Sequence, residues 1–523
     1  MALAFAGDRR WSTSVFHDER SAAFAALGVA VSSGRPAILV CTSGTAATHF
    51  HAAVVEADLS GVPMIVVTAD RPPESRDVGA AQTIRQDGLY GSAVRWSHDP
   101  GVPDLAASSS WRSLARRALG ASLGEPPGPI HLNLPFREPL VGSASVRPPV
   151  SDVEPFAIAS RSFDAAGREQ LIGRLATSRP LLVIGRGAPD DIVAVATDRG
   201  WPVLAESRSR RSDAVVTHFD SLLRVPEFAD VAVPDLVVRI GEPPASKTLA
   251  QWLVRHEVPQ IHVSCDARVY DADHRVATRI VTSPNDVLDL FASLPKVVDS
   301  SWIQRWSSAE SAARAAVRGC LDSMPASVGV SAVVDFVSAL PEAGSLVVSS
   351  SMPIRDVEWF AGVLGDRFVV ANRGANGIDG VVATGIGVAL DRGGPVGVVV
   401  GDVALLHDSS SLGGLAARGL DIRILVVDND GGGIFHHLPQ ATSVDADVFE
   451  KIYGTPHGTD FVSLGSAHGL TTLVADDREG LRRAAACPGP SLTIVRTDRN
   501  GDVAGHRRLH AAVADALSRR NNP

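Results

Sequence analysis

Asp402 and Asn429 pair a carboxylate with an amide oxygen 27 positions apart, each at the end of an apolar run. Residues 396–400 run into Gly401-Asp402, and residues 422–427 run into Asp428-Asn429-Asp430 and three glycines, Gly431 to Gly433. Two oxygen donors of this kind suit a hard cation, Mg²⁺ or Mn²⁺, which also takes phosphate oxygens and water. Gly431 and Gly432 let backbone N–H groups approach a diphosphate closely. Three other residues stand out by type. Glu19 opens an apolar segment, an acid where a helix N-terminus favours one. Arg355 and Arg373 follow two further apolar runs, and guanidinium forks of this kind pair bidentately with a dicarboxylate.

These residues act together only if the intervening elements bring them to one edge. The stretch 401–435 supplies one such arrangement: an apolar run, a Gly-spaced apolar segment at 405–420 that reads as a helix with its connections, and a second apolar run. A strand–helix–strand unit puts both strand ends on the same edge of a parallel sheet, where ligands of open α/β sheets bind. The alternation recurs along the chain. Residues 14–17 read as a short strand ending at Asp18-Glu19, 21–32 as a helix, 36–41 as a strand, 46–59 as a helix and 64–68 as a strand. Runs at 180–185, 201–205, 236–241, 260–264, 346–350, 368–371 and 492–495 read as strands, and 508–518 as a closing helix. The predicted architecture is α/β, with three doubly wound parallel-sheet domains over 1–140, 141–326 and 327–523. Pro148, Pro149 and Pro155 mark the first linker.

Bulk composition narrows the function classes. With 523 residues and 45% hydrophobic content, several domains each bury a core. A net charge of −9 argues against a nucleic-acid surface. No apolar run approaches the ~20 residues of a membrane span, and the start lacks a basic leader. The four cysteines form no CxxC, so neither a disulfide scaffold nor a zinc site is expected. The expectation is a cytoplasmic, Ala/Val/Gly-rich α/β protein with reduced, mostly buried thiols. His49, His51, His98, His436 and His437 show no ligand spacing and read as non-ligands.

The Gly-Asp to Asn spacing resembles the thiamine-diphosphate motif. Asp18-Glu19-Arg20-Ser21-Ala22, Thr42-Ser43-Gly44-Thr45, Thr68-Ala69-Asp70-Arg71-Pro72-Pro73 and Gly79-Ala80-Ala81-Gln82-Thr83-Ile84 together resemble the pyrimidine-binding domain of that enzyme family. Arg373-Gly374-Ala375-Asn376-Gly377-Ile378-Asp379-Gly380 is similar to the Arg-Gly-Ala-x-Gly-Ile-Asp-Gly of the menaquinone-pathway synthases within it. The resemblance covers nearly the whole chain. It implies decarboxylation of 2-oxoglutarate and 1,4-addition of the remaining four-carbon unit to isochorismate. It implies that Asp402, Asn429 and the carbonyl of Gly431 hold Mg²⁺ (or Mn²⁺) against thiamine diphosphate, with Gly401, Gly432 and Ser351 beside the cofactor. Backbone at Gly374 and Asn376 then faces the aminopyrimidine, Ile378 wedges the cofactor into a bent shape, and Glu19 shares a proton with the ring. Gln82 lies at the reacting carbons, while Arg71, Arg355 and Arg373 contact substrate carboxylates. Apart from the resemblance, Lys247 follows the strand at 236–241 and is placed to reach an anionic substrate. The family assembles as a homodimer or dimer of dimers with the site at the interface, so that Glu19 serves a neighbour's cofactor.

The chain departs from that pattern in places. Val403 replaces the third glycine of Gly-Asp-Gly, Asp428 the first asparagine of Asn-Asn, and Ala81 an asparagine before Gln82. The segment matching Ala2 to Gly7 is not preceded by the family's earlier strand and Pro-Gly-Ser-Arg turn, so the first domain is expected to lack its first strand and one substrate arginine. Gly185-Arg186-Gly187 is half of a dinucleotide fingerprint, and no second nucleotide is expected there. Two alternatives stay open: another thiamine-diphosphate 2-oxoacid decarboxylase or acetohydroxyacid synthase, and a truncated subunit that binds cofactor without turnover.

Overall fold

The computed structural model describes residues 1–141, 161–209 and 212–521, and the three linker prolines, Pro148, Pro149 and Pro155, lie outside them. Among the described residues, fifteen strands form three sheets, each parallel throughout. The first has the order β1 (Ala37–Cys41), β2 (Met64–Asp70), β4 (Pro129–Pro135), β3 (Ser97–His98). The second has the order β6 (Val203–Ala205), β5 (Pro180–Ile184), β7 (Leu236–Ile240), β8 (Gln260–Ser264), β9 (Val276–Val281). The third has the order β11 (Phe368–Val370), β10 (Ser345–Val348), β12 (Val396–Gly401), β13 (Ile422–Asp428), β15 (Ser491–Arg496), β14 (Thr471–Val474). Central strands such as β5 and β12 are largely Val/Ile/Leu runs because helices cover both faces.

The chain divides into two compact units. One contains the first sheet together with Asn372–Gly393 and Leu406–Leu420. Its central contact is between helices Glu19–Ser33 and Val381–Arg392. Both are rich in Ala, Gly and Val, so the backbones come into direct contact. A Cβ at Gly28 would lie 2.1 Å from the Thr384 carbonyl oxygen, and one at Gly387 would lie 1.9 Å from that of Ala25. Gly380, with φ +68, starts the second helix against the Phe24 ring, where a Cβ would come within 1.9 Å. The buried Asp408 carboxylate accepts the Ala383 N–H at 2.9 Å, placing an anion at that helix's positive end.

The other unit contains the second and third sheets. Helix Ser300–Asp322 packs along the closing helix Arg499–Asn521, with Trp302, Trp306 and Trp252 in edge-to-face contact within one apolar cluster. The register of the third sheet matters most for function. Gly401 pairs with Val427, so β12 and β13 end together and Asp402 faces the Asn429 turn.

Three local expectations need correction. Residues 14–17 form no strand. Arg418 instead donates to the Val15 carbonyl and stacks over the Phe16 ring at 4.1 Å, and Asp18 turns the chain into the helix by accepting the Arg20 N–H. Residues 46–59 split into helices Thr45–Thr48 and His51–Leu59. Residues 405–420 form three short pieces, because Gly414 and Gly419 adopt φ of +73 and +61.

Candidate active site

The end of β12 and the turn after β13 form a closed polar cradle. Asp402 is buried, with 2% exposure. Its Oδ1 accepts the Val403 N–H at 2.6 Å, and its Oδ2 accepts the N–H groups of Asn429 at 3.0 Å and Gly431 at 2.9 Å. One carboxylate thus folds the loop around itself. Arg499 holds the loop from behind, donating to the carbonyls of Asn429 and Asp430 and pairing with Glu450. Gly431, at φ +134, sits where a Cβ would meet the Gly454 carbonyl at 1.9 Å, and a Cβ at Gly432 would meet that of Tyr453 at 2.1 Å. Both positions therefore demand glycine.

Two features of the cradle point to a ligand. The Oδ1 of Asn429 is buried and has no hydrogen-bond partner. A buried acceptor left bare costs about 1–3 kcal/mol unless something fills it. Beside Gly401, a Cβ would meet nothing within 4 Å, so the space next to Asp402 is open. Burial raises the Asp428 carboxyl above its usual range, and the Asp402 charge adds to the rise. The ligand atoms of Asp402, Asp428 and His457 lie within 4.8 Å of one another. A carboxylate, an orphaned amide oxygen and a glycine-lined turn fit a hard divalent cation with a diphosphate. Asp402 and Asn429 are the residues that would hold the cation. The Gly431 carbonyl accepts the Gly433 N–H at 2.9 Å and keeps a second lone pair for it.

The first unit gathers a second set of the predicted residues. Glu19 is half-buried at the start of its helix, and its carboxylate makes no hydrogen bond among the described residues. It lies close enough to Cys41 that burial, with the Glu19 charge, pushes that thiol up to about 12. Gln82 adopts φ +57 and is clamped by the Thr42–Gly44 turn. Its amide donates to Thr42 Oγ1 at 3.1 Å and to the Ser43 carbonyl at 3.0 Å, while Ser43 Oγ donates back to its carbonyl at 2.9 Å. Arg71 follows Asp70 at the end of β2, and its buried Nε has no partner. Gly374 and Ala375 donate their N–H groups to the two oxygens of the buried Glu56 carboxylate, at 2.8 and 2.7 Å. Asn376 is exposed at φ +60, and Arg373 and Ile378 are half-buried on either side of it.

In the second unit, Ser351 adopts φ +74 and caps helix Met352–Phe360. Its carbonyl accepts from the Arg355 guanidinium at 2.5 Å. Burial lowers the Arg355 pKa, opposed by the charges of Asp356 and Asp220. Lys247 is exposed at the first turn of helix Lys247–Arg255, capped by Ser246. Gln82, Asn376 and Ser351 all hold a left-handed conformation that non-glycine residues avoid, a strain that concentrates at functional sites.

The crevice of the second sheet is filled rather than open. Arg208 pairs with Glu206 at 2.8 Å and Glu242 at 2.7 Å, and Arg186 and Arg268 reach Glu242 as well. Burial pushes the Glu242 carboxyl up, but the three arginines outweigh it and hold it low. A Cβ at Gly185 would sit 1.8 Å from the Glu242 carbonyl oxygen. That glycine serves strand packing.

Glu56, Arg499 and His457 escape a reading of the sequence. Glu56 lies in an Ala/Val helix where an acid reads as a surface residue. Arg499 and His457 reach the cradle only through chain closure.

Comparison with known proteins bears on the same segments. Family models described as thiamine pyrophosphate enzyme, N-terminal TPP binding domain, middle domain of thiamine pyrophosphate, and thiamine pyrophosphate enzyme, C-terminal TPP binding domain match residues 2–89, 146–348 and 364–495. A benzoylformate decarboxylase from Polynucleobacter necessarius shares the fold, with a TM-score of 0.71 at 17% identity over 95% of this chain and 94% of that one. A 2-succinyl-5-enolpyruvyl-6-hydroxy-3-cyclohexene-1-carboxylate synthase from Thermobifida fusca is 41% identical over 99% of this chain and 94% of its own length. Those from Chloroflexus aurantiacus and Listeria monocytogenes are 37% and 32% identical, over 92% and 91% of their lengths and 99% and 96% of this chain. At such identity over nearly full length, the chain belongs to the thiamine-diphosphate-dependent 2-succinyl-5-enolpyruvyl-6-hydroxy-3-cyclohexene-1-carboxylate synthase family.

Proposed function

We propose that this enzyme decarboxylates 2-oxoglutarate and adds the four-carbon remainder to isochorismate in a 1,4 sense. The product is 2-succinyl-5-enolpyruvyl-6-hydroxy-3-cyclohexene-1-carboxylate, made for menaquinone biosynthesis. The observation that carries the reading is the Asp402 cradle with its orphaned Asn429 oxygen, in a chain whose curated relatives bear that name. Thiamine diphosphate, held there with Mg²⁺ or Mn²⁺, supplies the carbon nucleophile and the electron sink.

The chain's own residues do the rest. Asp402 and Asn429 would hold the cation that neutralises and orients the diphosphate. Glu19, half-buried and with no hydrogen bond among the described residues, holds a proton at the aminopyrimidine ring. Gln82, fixed by the Thr42–Gly44 turn, presents its amide to the reacting carbons. Arg355 and Arg373, with Arg71 and Lys247, take up the carboxylates of two dianionic substrates. Gly374 and Asn376 shape the pyrimidine side and Ile378 packs against the cofactor. Ser351, Gly401 and Gly432 line the diphosphate side. The site is completed by a second copy, so that Glu19 acts on the cofactor of a homodimer partner. Four free cysteines suit a reducing cytoplasm.

The test is incubation with 2-oxoglutarate, isochorismate, thiamine diphosphate and Mg²⁺. Carbon dioxide release matched one to one by isochorismate loss supports the reading. Turnover of pyruvate alone would assign the chain to decarboxylase or acetohydroxyacid chemistry instead.

A further inference from the structure

The loop 455–460, Thr-Pro-His-Gly-Thr-Asp, plays no part in the chemistry above. It is tied to the end of β13, because Asp430 Oδ1 accepts the N–H groups of His457 at 2.9 Å and Gly458 at 2.8 Å. His457 is thereby carried to the cradle. Its Nε2 lies 3.4 Å from Asp402 Oδ2, and its side chain is 13% exposed, edge-on to Phe461.

Asp402, Asp428 and His457 resemble a three-ligand metal site, but the hydrogen bonding of the ring argues against that. The Thr459 N–H donates to His457 Nδ1 at 3.0 Å. The Nδ1 lone pair is therefore occupied, and the ring proton sits on Nε2. An Nε2–H has no lone pair to give a cation. It is a buried donor that forms no hydrogen bond: Asp402 Oδ2, 3.4 Å away, already takes two backbone N–H groups. Asn429 Oδ1, on the same loop, has the opposite deficit: an acceptor without a donor. A bare donor and a bare acceptor flanking one carboxylate are satisfied together by a cation that carries an anionic oxygen. Either species alone would satisfy only one of them.

We propose that His457 is a diphosphate-binding residue whose Nε2–H donates to a phosphate oxygen of the metal-bound cofactor, and that it does not ligate the metal. The proposal rests on assigning the Asp402–Asn429 cradle to that cofactor.

The experiment is calorimetric titration of thiamine diphosphate with Mg²⁺ into the wild-type chain and His457→Ala. A hydrogen bond to a charged oxygen is worth about ten- to a hundredfold in affinity. A loss of that size, at an unchanged melting temperature, is the expected result. Two measurements on the wild type remain decisive if the variant does not fold. In ¹⁵N-histidine-labelled protein, one Nε2–H resonance should become protected from exchange and move downfield when the diphosphate and Mg²⁺ are added. With Mn²⁺ in place of Mg²⁺, electron spin echo spectra should show no directly ligated imidazole nitrogen. Unchanged affinity in a folded His457→Ala, an unmoved Nε2–H, or a ligated nitrogen would each overturn the proposal. A wild-type chain that binds no thiamine diphosphate would refute the cradle assignment itself, a different failure.

Discussion

Replacing Glu56 with alanine should release the segment that carries the 373–380 motif. Glu56 is 4% exposed, and its two carboxylate oxygens accept three hydrogen bonds. Gly374 N–H donates at 2.8 Å, Ala375 N–H at 2.7 Å and Ser60 Oγ at 2.7 Å. Bonds to a charged acceptor are worth about 1.5–3 kcal/mol each, less the desolvation of the carboxylate itself. Removing the acceptor strands two backbone N–H groups, because Gly374 is pressed against the Ser60 side chain and Leu59, where a Cβ would find 2.7 and 2.9 Å. The expected cost of Glu56→Ala is therefore about 3–5 kcal/mol, against about 1–2 kcal/mol for Glu56→Gln, which keeps one acceptor oxygen. Hydrogen exchange read by mass spectrometry on peptides covering 373–380 tests this directly. About 3 kcal/mol corresponds to roughly a hundredfold faster exchange in the alanine variant. Exchange in that segment within threefold of wild type, or equal effects of the two substitutions, would show that Glu56 does not anchor it.

Two further outcomes follow from the first unit. Gly387→Ala places a methyl 1.9 Å from the Ala25 carbonyl oxygen in a helix crossing with no room to shift, so it should cost about 3 kcal/mol or more and lower the thermal midpoint. Gly393→Ala, where a Cβ meets nothing within 4 Å but φ is +64, should cost only the smaller price of its backbone conformation. Asp408 sets a pH dependence. Burial raises its carboxyl from 3.8 to about 6 in the fold, outweighing the bonds from Ser411 and Ala383. A raised carboxyl binds its proton more tightly when folded, so its contribution to stability is full below 3.8 and is lost as pH climbs to about 6. Denaturant titrations of Asp408→Asn and wild type should therefore converge toward acid and shift in favour of the variant between pH 4 and 6, by up to about 3 kcal/mol. A difference independent of pH would refute this.

How much of the molecule was visible in the residues depended on where the information resides. Asp402 and Asn429 were legible because β12 and β13, Arg423 apart, are apolar runs, so the polar residues after them mark the strand ends. The turn glycines were legible because only glycine fits beside the Gly454 and Tyr453 carbonyls. The edge strands β9 and β14 were not seen, since each has exposed residues, only one residue of the two strands is fully buried, and the apolar pattern fades. The short β3, two residues long, carries no pattern at all. Glu56 and His457 were missed for a different reason: each looks ordinary in its own segment and gains its role from a partner far along the chain, at 374 and 402. The breaks in 405–420 were written in Gly413-Gly414 and Gly419, but an apolar helical period outweighed them.

The central claim is that Asp402 builds the cofactor cradle. Equilibrium dialysis of thiamine diphosphate against wild type and Asp402→Ala, each with and without Mg²⁺, tests it most directly. The account predicts tight, Mg²⁺-dependent binding by the wild type. In the variant the metal dependence should vanish and affinity should fall at least a hundredfold, since both the cation ligand and the anchor of the Asn429–Gly431 loop are lost. Metal-dependent binding that survives in a folded Asp402→Ala would contradict it.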